Sequence, residues 1–365
     1  MKIGICTLYY KNLNYGGNLQ AYALCTVLKS INHTPEVLPY YNHSRPYEML
    51  SNINQSITKN NTLDSLLSKR NCAMKRFADS IPHSRVYYSN SIYKANNEYD
   101  CFIVGSDQVW NPDWINPYMA LSFADESKLT ASYAASTGKI TLNSEQENRL
   151  KQALEHTKYI SIREKESIPV LQSLTDKKIE YVLDPTMLLK REQWDEICSK
   201  RIVDSVYMFC YFLGNNENLR KVAKEYAALK NLKLVTLPYL NGKYRAVDDG
   251  FGDIQLYNVS PKEFLSLIKH ASFVMTDSFH AAVFSHLYEK KFVVSGGGKD
   301  EMGCRMLSLT GLFGTEHRYI KEHDDVTIEK LATIDNLSLT LKWENFEAMR
   351  QRSIDFLKRV LSNDK

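Results

Sequence analysis

Val104-Gly105-Ser106-Asp107-Gln108-Val109-Trp110-Asn111-Pro112 and, far downstream, Thr276-Asp277-Ser278-Phe279-His280 are the stretches on which the fold turns. Each follows an apolar run with the length and β-branched content of a buried strand, then changes abruptly to small residues with functional side chains. In open α/β sheets ligands bind outside the carboxyl ends of the strands, so two such ends in two halves of one chain predict a cleft between two sheets.

The surrounding sequence repeats the same alternation. Lys2 to Leu8 reads as a strand and Leu19 to Ser30 as a helix, with Asn14-Tyr15-Gly16-Gly17-Asn18 as a glycine loop between them. Glu36-Val37-Leu38, Tyr99 to Val104, Leu129 to Ala135, Tyr159 to Ile162 and Tyr181 to Leu183 read as further strands. Ser144 with Glu147 has the pattern of a capping box that opens a helix.

Near Lys190 the pattern breaks and restarts with strands over Ser205 to Leu213, Leu232 to Leu237, Ser272 to Thr276 and Lys291 to Val294. Ser260-Pro261-Lys262-Glu263 is a strong helix start, and Trp343 to Leu361 reads as a closing helix that crosses back onto the first half. The expected architecture is α/β, with two Rossmann-like domains over residues 1–190 and 191–365 facing a cleft. This is a GT-B-like arrangement, with an insertion over about 41–95.

Composition narrows the classes. With 44% hydrophobic and 24% charged residues over 365 positions, the chain reads as a soluble globular protein of two domains. A net charge of +4 is too small for a dedicated nucleic-acid binder. Lys69, Arg70, Lys75, Arg76, Arg85 and Lys94 read as a solvated face, or as a weak attraction to an anionic membrane or a diphosphate-linked substrate. The seven cysteines form no paired framework and suggest a reducing compartment. The opening residues lack the pattern of a signal peptide, so a cytoplasmic location, at most peripheral to a membrane, is expected.

Four motifs carry chemistry. The Gly16-Gly17 loop places amides at a helix start where they can face an anion, with Asn18 and Gln20 toward a cleft, although a tight turn accounts for the same glycines. Ser106, Asp107 and Gln108 crowd one strand end beside Trp110 and Asn111, a combination suited to a sugar ring. His280 falls in the first turn of its helix beside Ser278, where an imidazole can serve as acid or base or donate to an anion. Arg305, after the Ser295-Gly296-Gly297-Gly298 run, can reach a phosphate or a carboxylate; a surface salt bridge explains it equally. Arg163-Glu164 reads as a strand-end ion pair. Metal-site and hydrolase motifs are missing, so neither a metal nor a resident cofactor is expected.

Taken together, the opening Ile3-Gly4-Ile5 strand with Asn14 through Ala21, Asp100 through Pro112, Ser132 through Ser136, Ser161 through Glu164, Val182 through Thr186 and Thr276 through His280 resemble the polysaccharide pyruvyl transferase family. The resemblance implies a GT-B-like fold and transfer of a pyruvyl group from phosphoenolpyruvate to two hydroxyls of a sugar acceptor, either free or carried on a lipid diphosphate. The products would be a cyclic ketal and phosphate.

Many relatives carry Arg-Leu-His where this chain has Ser278-Phe279-His280, and Arg305 is the candidate for the missing cation. On this reading His280 and Asp107 are catalytic, while Arg305, Ser278, Gly16 and Gly17 hold the donor. Asn18, Gln20, Ser106 and Gln108 hold the acceptor. The alternatives are a metal-independent glycosyltransferase using a sugar nucleotide and a non-catalytic carbohydrate-binding homologue.

Overall fold

The computed structural model describes residues 1–46, 62–238, 245–296, 300–321, 324 and 326–362, without the side chains of 62–64, 66 and 300–304. Residues 47–61 of the expected insertion, and Gly297, Gly298 and the Cys304 side chain of the downstream glycine run, lie outside this description.

Two parallel sheets dominate. In the first, Thr34–Val37, Lys2–Cys6, Cys101–Val104 and Leu129–Ser132 lie side by side. Bridges from Ala131 to Tyr159 and from Ala135 to Ile162 extend it to the paired strands Ile160–Ile162 and Ile179–Tyr181. In the second, the order is Ile254–Gln255, Lys233–Thr236, Tyr207–Tyr211, Phe273–Thr276, Phe292–Ser295, Tyr319–Ile320. Counted along the chain that order is the third, second, first, fourth, fifth and sixth strand, the arrangement of doubly wound nucleotide folds. Cys101–Val104 and Phe273–Thr276 are buried at every position because helices cover both faces, which explains why they read as unbroken apolar runs.

Local sequence accounts for the helix starts. Ser260 and Glu263 form a reciprocal capping box with Pro261 at the first helical position, as expected. Upstream the cap falls one residue earlier than read. Asn143, not Ser144, accepts from the amide of Gln146, whose side chain returns the bond, so Glu147 has no part in it. The glycine loop is corrected more sharply. Tyr15–Ser30 is one helix, Gly16 and Gly17 sit in its first turn, and Asn14 caps it by accepting from the Gly17 amide.

The halves are packed together. Tyr15 stacks on Phe264 with centroids 4.6 Å apart and donates its hydroxyl proton to the Val259 carbonyl. Trp194 meets Tyr22 of the first half with ring centres 5.8 Å apart. Arg70 departs from the solvated face on which its sequence neighbours were placed. It is buried, lies over the Tyr15 ring at 4.9 Å and donates to the Pro238 carbonyl. The closing helix Trp343–Ser362 crosses back as expected. Phe346 stacks on Phe313 at 4.8 Å, Phe356 meets Tyr133, and the Ser353 hydroxyl accepts from the Leu183 amide at 2.9 Å. Among the described residues no helix is long and apolar enough to cross a membrane.

Candidate active site

The first half supplies a buried ionic network at its strand ends. Asp184 caps the short turn Pro185–Met187. Its Oδ1 accepts from the Thr186 amide at 2.9 Å and the Thr186 hydroxyl at 2.6 Å, and its Oδ2 accepts from Ser106 Oγ at 2.7 Å and Arg163 Nη1 at 2.8 Å. Burial alone would raise this carboxyl, but His280, Arg163 and Thr186 outweigh it and hold Asp184 well below the usual carboxylate range.

Arg163, just past Ile160–Ile162, also donates from Nε to Glu164 Oε1 at 3.1 Å. Its Nη2 stands 3.9 Å from Asp107 Oδ1, and its guanidinium lies 4.4 Å from the Phe279 ring centre. Burial opposes its charge, yet Glu164, Asp184 and Asp107 together hold the proton more firmly than in water. Arg163 Nη2 and Glu164 Oε2 remain buried without a hydrogen-bond partner among the described residues.

The second half supplies the imidazole. Thr276 Oγ1 donates to the Tyr211 carbonyl at 2.6 Å and accepts from the Ser278 amide at 3.0 Å, fixing the exit of strand Phe273–Thr276. Ser278 then caps the helix Phe279–Leu287, which places His280 in its first turn. His280 Nε2 lies 3.7 Å from Asp184 Oδ2, too far for a hydrogen bond, and has no partner among the described residues. On the ring's other side, a methyl group at Gly16 would overlap Nδ1, so only glycine allows the two helix starts to meet.

Arg305, on the helix Asp300–Phe313, completes the cluster. It is 8% exposed and its Nε has no hydrogen-bond partner among the described residues, so the surface salt bridge considered from sequence does not describe it. Burial, reinforced by the like charge of Arg163, pulls its proton affinity down against Glu164 and Asp107. Arg305, Arg163, Glu164, Phe279 and Ser308 line one narrow crevice.

The residues expected to line the acceptor side are placed differently. Asn18 is fully buried and donates to the carbonyls of Asn12 and Asn14 at 3.0 Å each. Gln20, equally buried, donates to Thr7 Oγ1 at 2.8 Å and to the Gly17 carbonyl at 3.0 Å. Both hold the helix start rather than face a cleft. Ser106 is sealed against Asp184, and Ser278 serves as a cap. Gly17 leaves room for the Asn12 amide, and its own amide is taken by Asn14.

Trp110 is buried, with its indole N–H on the Met119 carbonyl, and so is not a sugar platform. Trp114 is the exposed ring of that loop, and its N–H donates to the Gln108 carbonyl at 3.1 Å. Gln108 is half-buried and its side-chain oxygen accepts from Asn111 at 3.1 Å. Asp107 stays at the edge of the network with φ 70° and ψ −173°, a region otherwise almost reserved for glycine.

Sequence reasoning assigned no role to Asp184 and treated Arg163 and Glu164 as an isolated pair. The available signal was that both segments repeat the layout of the two deciding stretches, an apolar run broken by a charge at its carboxyl end.

A family model described as polysaccharide pyruvyl transferase matches residues 14–296. The chain belongs to the polysaccharide pyruvyl transferase family. It is therefore a member of an enzyme family, and the matched stretch of this pyruvyl transferase carries every residue of the cluster except Arg305. No curated protein matches the chain.

Among solved structures the pyruvyl transferase is similar to the UDP-N-acetylglucosamine 2-epimerase from Rickettsia bellii. The TM-score is 0.58 and the identity 11%, over 100% of this chain and 97% of that one. It is also similar to the UDP-GlcNAc 2-epimerase from Methanocaldococcus jannaschii in complex with UDP-GlcNAc and UDP, with TM-score 0.56 and 14% identity over 99% of both chains. At that identity the likeness concerns the fold, which is GT-B-like with two Rossmann-like halves.

Proposed function

We propose that this pyruvyl transferase moves the pyruvyl group of phosphoenolpyruvate onto two hydroxyls of a sugar during surface polysaccharide synthesis, leaving a cyclic ketal and inorganic phosphate. One observation carries the reading: two buried guanidinium groups, Arg163 and Arg305, have N–H donors without a partner among the described residues and share one small crevice beside the Phe279-His280 turn. Buried donors without partners are costly, and a small dianion with two acceptor groups would satisfy them. The donor phosphate and carboxylate are therefore assigned to Arg305 and Arg163, not to the amides of Gly16 and Gly17.

Chemically, a sugar hydroxyl adds to the second carbon of the enolpyruvyl group while a proton is delivered to the third, giving a methyl-bearing phosphate adduct. His280 supplies that proton, and Asp107, the carboxylate least enclosed by the network, accepts the hydroxyl proton. Phosphate then leaves with its bonding pair as the second hydroxyl closes the ring and passes its proton to the imidazole that gave one up, and Arg305 stabilises the departing charge.

Against a sugar-nucleotide transferase, the amides of Leu213 and Gly214 at the second sheet's crevice both donate to Asp277, at 2.6 and 2.7 Å. An internal carboxylate thus sits where those donors would otherwise meet a diphosphate. The test is phosphate release from phosphoenolpyruvate with a panel of lipid-linked and model galactosides, mannosides and glucosaminides, with the product checked by mass. Release that depends on acceptor and yields a ketal supports the reading. Stabilisation by a nucleoside diphosphate but not by phosphoenolpyruvate overturns it.

A further inference from the structure

We infer that Asp184 is a positioning residue which, together with the start of the helix Tyr15–Ser30, fixes the proton of His280 on Nε2, the nitrogen turned toward the ionic network. The inference rests on the proposed role of His280 as proton donor, and it says which nitrogen carries hydrogen in the neutral ring, before the ring takes up the second proton that makes it an acid.

Two fields act on the ring from opposite sides. At Nε2 stands Asp184 Oδ2, 3.7 Å away, on a carboxylate that Ser106, Arg163 and Thr186 hold with four hydrogen bonds. A bare lone pair on Nε2 would face that negative oxygen, whereas an N–H would be attracted to it. At Nδ1 lies the first turn of Tyr15–Ser30, brought into contact because Gly16 has no side chain. The amino end of a 16-residue helix carries partial positive charge, which favours an acceptor lone pair and disfavours a second N–H. For the neutral ring, both influences select hydrogen on Nε2 and none on Nδ1.

The contact joins the two halves of the chain. Ser106, Arg163, Thr186 and Asp184 all belong to the first half and His280 to the second, so the orientation of the donor depends on the halves being docked. Asp184 does not touch the reacting atoms in this arrangement. It acts through the imidazole, as a carboxylate does when it sets a histidine tautomer.

The experiment is long-range proton–nitrogen NMR on protein labelled with ¹⁵N-histidine, at a pH where the ring is neutral, with His280 assigned by its loss in His280→Gln. A single Nε2–H tautomer in the wild-type protein is expected; an Nδ1–H tautomer overturns the inference. Asp184→Asn is expected to give mixed tautomers and to lower kcat about 100-fold. A variant that folds and keeps both the wild-type tautomer and the wild-type turnover also overturns it. Should Asp184→Asn not fold, the wild-type spectrum decides alone. Should wild-type protein release no phosphate from phosphoenolpyruvate, the proposed function fails while the spectrum still reads the tautomer.

Discussion

Gly16 lies against the Nδ1 side of the His280 imidazole, so the first turn of a helix in one half of the chain and the first turn of a helix in the other meet at a single ring. Gly16→Ala therefore places a methyl group inside the ring, and the imidazole has to rotate or the halves have to part. Phosphate release should fall at least tenfold, with a stability loss of about 1–3 kcal/mol typical of an overpacked interior. Gly17→Ala is the control. Its methyl group meets the Asn12 amide, so stability should fall while release per folded molecule holds. Urea midpoints and initial rates on the two variants check this.

Arg305 holds a charge in a buried place where Nε has no partner among the described residues. Arg305→Met keeps the stem and removes the desolvated charge, so the unliganded protein should gain about 1 kcal/mol. The same variant should lose the rise in melting temperature that phosphoenolpyruvate gives the wild type. Thermal unfolding with and without the donor measures both effects, and a variant still stabilised by the donor would remove Arg305 from the site.

Asp107 is held at φ 70° by the Val109 and Ser136 amides, which both donate to its carbonyl, at 2.7 and 3.0 Å. Glycine adopts that backbone without strain, so Asp107→Gly should be as stable as the wild type or about 1 kcal/mol more so. Turnover should nevertheless drop by about 100-fold or more, since the hydroxyl of the acceptor loses its base. A marked loss of stability in this variant would show that the side chain supports the fold instead.

His286 offers a pH prediction away from the site. Fully buried, it donates from Nδ1 to the Ala282 carbonyl and accepts at Nε2 from the Thr315 hydroxyl, each at 2.8 Å, which suits the neutral ring. Burial pulls it down to about 3 from an ordinary 6.5, with Arg318 adding to the effect against the Ala282 bond. Below about 6.5 the unfolded chain binds this proton and the folded chain does not, so stability falls as the pH falls, by about 1.4 kcal/mol per unit. Urea unfolding between pH 7.5 and 5 should show that slope, flattened in His286→Gln.

The architecture was legible because buried parallel strands write themselves as apolar runs and because caps such as Ser260 with Glu263 are local. Of the residues singled out in the sequence, Asp107, His280 and Arg305 fall around one buried network in the structure. Asn18, Gln20 and Trp110 have the polarity or aromaticity of ligand contacts, yet their partners are backbone groups fixed by the folded structure, which no spacing reveals. Asp184 and Arg163 were passed over for a related reason. Each looks like an ordinary strand-end charge until the two strands are brought together and the acid is found facing a histidine almost a hundred positions away.

The amide of Leu183, next to Asp184, donates to the hydroxyl of Ser353, 170 positions further along. A growing polypeptide on the ribosome can assemble its first sheet early, but this anchor cannot form until the final helix has emerged. The turn that carries Asp184 should therefore stay unanchored in any nascent chain that has not yet exposed this helix.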